Sequence, residues 1–146
     1  MGRGSKATDK KLPMNKIILD KTDELIKLCS LYSVKSMYAF GSVCTDRFNA
    51  DSDIDLLISF EGLSIEQYTD NYFDLHYQLE ALFQRQIDLL TDNSLSNPYF
   101  IQGVEQTKEL IHAAWYIKLF AWYSSFYRID KWVSWRKSWF QSLSFK

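Results

Sequence analysis

Only two cysteines, Cys29 and Cys44, occur in 146 residues, and neither their number nor their spacing makes a disulfide framework or a zinc site. They read as free thiols of a reducing cytoplasm. The two histidines, His76 and His112, fall in stretches expected to be helical. No acid or nucleophile stands at useful spacing from either, so no Ser-His-Asp arrangement is visible and both read as structural. No run approaches the ~18 apolar residues that a membrane crossing requires. The N-terminus is basic but lacks an apolar core, which excludes a secretory signal there. Internal repeats are absent as well.

What is present is unevenly spread. The formal net charge of −1 conceals a split. Residues 1–114 carry 11 Lys and Arg against 17 Asp and Glu, whereas residues 115–146 carry 6 against 1. That last segment also holds all five Trp and 12 of the 24 aromatic residues. Such asymmetry marks a tail distinct from the rest. Residues 1–13 are polar and without periodicity, and read as an expression leader, with Met14 a native start. Between the two flanks, 14–113 has the length of one ordinary domain with a buried core.

Within that domain, apolar residues at Ile18, Leu25, Cys29 and Tyr32 predict a helix from Asn15 to Tyr32. Val34–Phe40 is an apolar-aromatic strand, and residues 46–52 form a polar loop. Ile54–Phe60 is a second strand, buried on both faces beyond an acidic end. Ser64-Ile65-Glu66-Gln67 is a capping box that opens a helix to about Phe83. Gln86–Thr91 is a third strand, and Asn97-Pro98 caps a final helix that would bury Phe100, Ile101, Val104, Leu110 and Ile111. The order helix, strand, strand, helix, strand, helix implies a compact α/β (α+β) domain with a small mixed sheet.

The chemistry concentrates between Phe40 and Ile58. A Gly41-Ser42 turn follows the first strand. If a helix starts near Ser42, its free amides can hold phosphate, and Gly41 permits close backbone approach. Ten residues later, Asp53-Ile54-Asp55 opens the second strand. Alternate residues of a strand share a face, so the two acids point the same way, about 6.5–7 Å apart at the backbone. Two carboxylates at about 5 Å repel by roughly 3 kcal/mol at an effective dielectric near 20. A divalent cation with oxygen ligands resolves that repulsion. Asp88 on the third strand can join the pair, because strands linked through a helix are often neighbours, about 4.8 Å apart.

Gly41-Ser42, ten residues and Asp53-x-Asp55, with the later Ile-Asp-Leu around Asp88, resemble the signature of the minimal nucleotidyltransferases of the polymerase-beta-like superfamily. The resemblance covers roughly Asn15 to Ala113. It implies a mixed sheet, two divalent metals (Mg2+) held by Asp53, Asp55 and Asp88 as the catalytic carboxylates, and a nucleoside triphosphate, ATP, held by Gly41 and Ser42. Members are often antitoxins that transfer AMP from ATP to a tyrosine of a HEPN-type toxin partner. Others modify small molecules or RNA, and a catalytically weak homologue that acts by binding alone is a further alternative. Many relatives carry Ala-Arg-Gly where this chain has Cys44-Thr45-Asp46. Arg47 is the nearest basic residue, read either as a substitute phosphate ligand or as an ordinary loop residue. Cys44 reads as packed under the turn. The tail at 114–146 lies outside the resemblance. An RNA-binding strip, an interfacial helix, a toxin-binding arm and a non-native extension are its possible identities.

Overall fold

A computed structural model describes residues 12–115. The leader up to residue 11 and the aromatic tail from residue 116 lie outside the described residues. The chain forms α1 (Lys16–Leu19), α2 (Thr22–Leu31), β1 (Val34–Phe40), a 3-10 turn (Gly41–Cys44), β2 (Ile54–Phe60), α3 (Ile65–Phe83), β3 (Ile87–Thr91), a second 3-10 turn (Asp92–Ser94), α4 (Pro98–Thr107) and β4 (Glu109–Ala113). The four strands make one sheet in the order β3-β2-β1-β4. β1 runs antiparallel to β2 and β4, and β2 runs parallel to β3. The small mixed sheet expected from the element order is therefore the fold. A parallel pair needs a crossover connection, and α3 supplies it.

Local chemistry accounts for α3. Ser64 Oγ accepts from the Gln67 amide while the Gln67 side chain accepts from the Ser64 amide, closing the capping box. Leu75, Leu79 and Phe83, four residues apart, form its buried stripe. Gln84 ends it in the left-handed region at φ 49°, which turns the chain back toward β3. In β1, alternate residues part company. Met37 and Ala39 enter the main core with Leu25, Cys29, Leu56, Leu75 and Leu79, beneath α2 and α3. Phe40 joins Leu57 and Val104, with Tyr38, Leu90 and Leu95 packed alongside, in a smaller cluster under α4. Among the described residues, α2 and α3 cover one sheet face, and α4 crosses part of the other.

Two expectations are corrected. The first helix is broken at Asp20-Lys21. Thr22 Oγ1 donates to the carbonyls of Ile18 and Leu19 (3.1 and 3.0 Å), a local bond that competes with helix propagation. The last helix does not run to Ile111 but ends at Thr107, and Glu109–Ala113 is a strand on the free edge of β1. Lys108 is already extended there (φ −58°, ψ 139°). The apolar pattern of Leu110-Ile111 suits either period over so short a run, and only pairing with β1 decides it. His112 consequently sits in β4, not in a helix. Its Nε2–H donates to Val34 O (3.1 Å). Burial lowers its pKa, against the opposing pull of that hydrogen bond. Phe100, expected in the core, is 44% exposed. Neither Cys29 nor Cys44 is in a disulfide and both are buried, and burial pushes the Cys29 thiol up to about 12. Among the described residues no helix is long and apolar enough to cross a membrane.

Candidate active site

On the sheet face crossed by α4, residues pair in rungs. Leu90, Leu57 and Tyr38 face one another across β3, β2 and β1. One rung further, Asp88 opposes Asp55 and Asp55 opposes Phe40. Opposed residues on neighbouring strands share a face. The apolar rung lies under α4, and the acidic rung lies at its margin. Parallel pairing is what places Asp55 beside Asp88, because it brings the starts of both strands to one end of the sheet.

Asp53 precedes β2 and is exposed, as is Asp88, whereas Asp55 is partly buried. Burial pushes the Asp55 carboxyl from its ordinary 3.8 up to about 6, and the charges of Asp88 and then Asp53 push the same way. The three acids therefore act on one another electrostatically. Among the described residues no three acidic, His or Cys side chains already close around a point as a metal ligand set. The donor chemistry, three anionic oxygen groups, is that of a hard divalent cation. Rotation of the two exposed side chains is what closure would take.

Gly41 is pressed against this cluster. Its φ is +67°, and a Cβ there would lie well inside contact distance of Asp55 Oδ2 and 3.3 Å from Asp55 Cγ. Glycine is required twice over, by the backbone angle and by the carboxylate. The Gly41 N–H donates to Thr107 Oγ1 (3.2 Å) at the end of α4, so that amide is already engaged. Ser42 follows it in the 3-10 turn, partly exposed, with Val43 and Cys44 buried beneath. Cys44 thus packs under the turn as expected. Thr45 closes the turn by donating to Ser42 O from both its amide (2.9 Å) and its hydroxyl (3.0 Å). Arg47 stands on the exposed loop beyond, its amide donating to Thr45 Oγ1 (3.3 Å).

Tyr72 and Arg85, which sequence reasoning gave no role at the site, and His76, read as structural, bond the backbone around the acids. Tyr72 on α3 donates to Leu89 O (2.7 Å), and His76 Nε2–H donates to Ile87 O (2.9 Å). These bonds flank Asp88 on the outer edge of β3. Burial raises the Tyr72 pKa, and the Asp88 charge adds to it. Arg85 Nη1 donates to Asn49 O (2.8 Å) and Ser52 O (2.6 Å). Arg85 is the one Lys or Arg between Arg47 and Lys108, which marks the residue but not the loop it meets.

Comparison with known proteins bears on the family and the fold. The family model described as "Nucleotidyltransferase domain" matches residues 24–111. Two proteins of Methanocaldococcus jannaschii, each named as a candidate protein adenylyltransferase, are 32% identical over 91 residues and 35% identical over 92. Each match covers 62% of this chain and 88% of the relative. Among solved structures, a chain from a mutant MntA-HpeT toxin–antitoxin complex superposes with a TM-score of 0.51 at 18% identity, covering 71% of this chain and 87% of that one. A chain from a toxin–antitoxin complex with AMP-PNP gives 0.51 at 19%, with the same coverage. At such identities the likeness is one of fold. With the domain match spanning more than half its length, this chain belongs to the nucleotidyltransferase domain family.

Proposed function

We propose that the protein is a Mg2+-dependent adenylyltransferase that moves AMP from ATP to a hydroxyl of a partner protein, as the antitoxin of a HEPN-type toxin pair. The observation that carries this reading is the in-register Asp55–Asp88 pair, with the Gly41 turn pressed against Asp55. The relatives are named for a protein acceptor, and the structural neighbours come from toxin–antitoxin complexes, one of them with AMP-PNP. In this reading the domain occupies 14–113, the flanks lie outside it, and the protein works in the cytoplasm, in keeping with two cysteines that form no disulfide.

Asp53, Asp55 and Asp88 would hold the metal, two ions in the full site. Bound there, it would neutralise charge on the attacking and leaving oxygens. Ser42 would contact the triphosphate with its hydroxyl and amide, and Gly41 would allow the phosphates to approach the backbone. Arg47, on the loop beyond the turn, would meet the phosphates. An acceptor oxygen attacks the α-phosphorus, its bond to phosphorus forms as that to pyrophosphate breaks, pyrophosphate leaves, and the acceptor hydroxyl's proton passes to water.

The test is transfer of label from α-phosphate-labelled ATP to a co-expressed partner. Transfer should disappear in Asp53→Asn and in Asp55→Asn, and equal labelling by both variants and the wild type would sink the assignment. Variants that no longer label, yet still protect cells, would identify an antitoxin that works by binding alone.

A further inference from the structure

We infer that Arg85 is a positioning residue for the metal site, acting through the loop that carries Asp53. The inference rests on the metal reading above and adds to it the device that brings the first carboxylate to the other two.

The loop has a defined shape. Asn49 and Ser52 close a small turn, with the Asn49 amide donating to Ser52 Oγ (3.0 Å) and the Ser52 amide to Asn49 O (3.2 Å). The carbonyls of both residues accept from Arg85 Nη1 at 2.8 and 2.6 Å. The guanidinium also lies 4.8 Å from the centroid of the Phe48 ring, and that ring packs on the main core. Arg85 therefore holds the loop by two charge-assisted bonds from one nitrogen and by a cation–π contact with Phe48.

The position of Asp53 follows from where these bonds fall. On one side Ser52 is tied to Arg85. On the other, the Ile54 amide donates to Gln86 O (3.1 Å). Asp53 stands between two anchors supplied by consecutive residues, and two residues further along the same segment is Asp88. The stretch Arg85–Asp88 thus carries one carboxylate and brackets another. If the guanidinium is lost, Asp53 keeps its anchor at Ile54 but loses the one at Ser52, and Asn49 and the Phe48 ring lose their contacts with Arg85. Groups that orient metal ligands from behind change metal affinity about 10–100-fold when removed.

The test compares wild type, Arg85→Lys and Arg85→Ala in two measurements on the purified chain. Hydrogen exchange of the metal-free protein should show amides 49–53 exchanging at least about tenfold faster in Arg85→Ala, with β1 and β2 unchanged. Calorimetric titration with Mg2+ should show affinity about 10–100-fold weaker in Arg85→Ala, with Arg85→Lys between it and the wild type. Loop exchange at the wild-type rate, or Mg2+ affinity within twofold of wild type, overturns the inference. So does exchange that rises equally across the sheet, since that marks a general structural role. Should Arg85→Ala not fold, Arg85→Lys carries the same comparison. A wild-type chain that binds no Mg2+ overturns the metal reading before any variant is compared, and the exchange data then decide the loop clamp alone.

Discussion

Replacing Asp55 with Asn should stabilise the metal-free protein while disabling it. The Asp55 carboxyl is pushed from 3.8 to about 6 by burial and by Asp88 and Asp53. Between those values the folded chain holds a proton that the unfolded chain has lost, so stability falls as pH rises across that window. Above pH 6 the whole penalty is present, and below pH 4 it is gone. A shift of about two units corresponds to at most about 3 kcal/mol. Asp55 is only partly buried, and solvent screening reduces this to about 1 kcal/mol. Asparagine has nearly the same shape, so the packing against Gly41 survives. For a domain of this size about 1 kcal/mol raises the melting temperature by roughly 4–8 °C. Thermal melts in EDTA should therefore place Asp55→Asn above wild type at pH 7.5 and level with it at pH 4. Adding Mg2+ at about ten times its Kd should raise wild type by about 1.4 kcal/mol and leave the variant unmoved. A variant that melts at or below wild type in EDTA at pH 7.5, or that gains as much from Mg2+, refutes the reasoning.

Gly41→Ala combines a left-handed backbone with a Cβ driven into Asp55, and should lose about 2 kcal/mol or more in urea unfolding. Pairing it with Asp55→Ala should restore part of that loss, and strictly additive effects would show that the two residues do not meet. Ser64→Ala removes the capping box of α3 and should cost about 1 kcal/mol by the same assay. His112, whose pKa is lowered by burial, contributes stability above its unfolded pKa that is lost as pH falls. In His112→Gln that acid loss should diminish, leaving the opposite trend from Asp55 visible in melts between pH 4 and 6.

Much of the site was legible in order along the chain. A glycine turn behind an apolar strand and an Asp-x-Asp at the start of the next are local patterns, although Asp53 lies one residue ahead of β2. The capping box of α3 and the Asn97-Pro98 start of α4 were equally local, since each depends on hydrogen bonds within a few residues. The conformation of Gln84 and the clamp by Arg85 were not legible. Arg85 reaches carbonyls more than thirty residues away, and no periodicity encodes which loop a lone cation will meet.

By itself, then, the sequence determined the type of most elements, their order and the identity of the three acids, because propensity, capping and alternation act over short range. Tertiary structure alone decided that Leu110 and Ile111 extend the sheet and not a helix, since a strand exists only through its partner. It also decided the register. Aligning β2 with β3 sets Asp55 beside Asp88, and slipping that pairing by one residue would turn Asp88 to the opposite face.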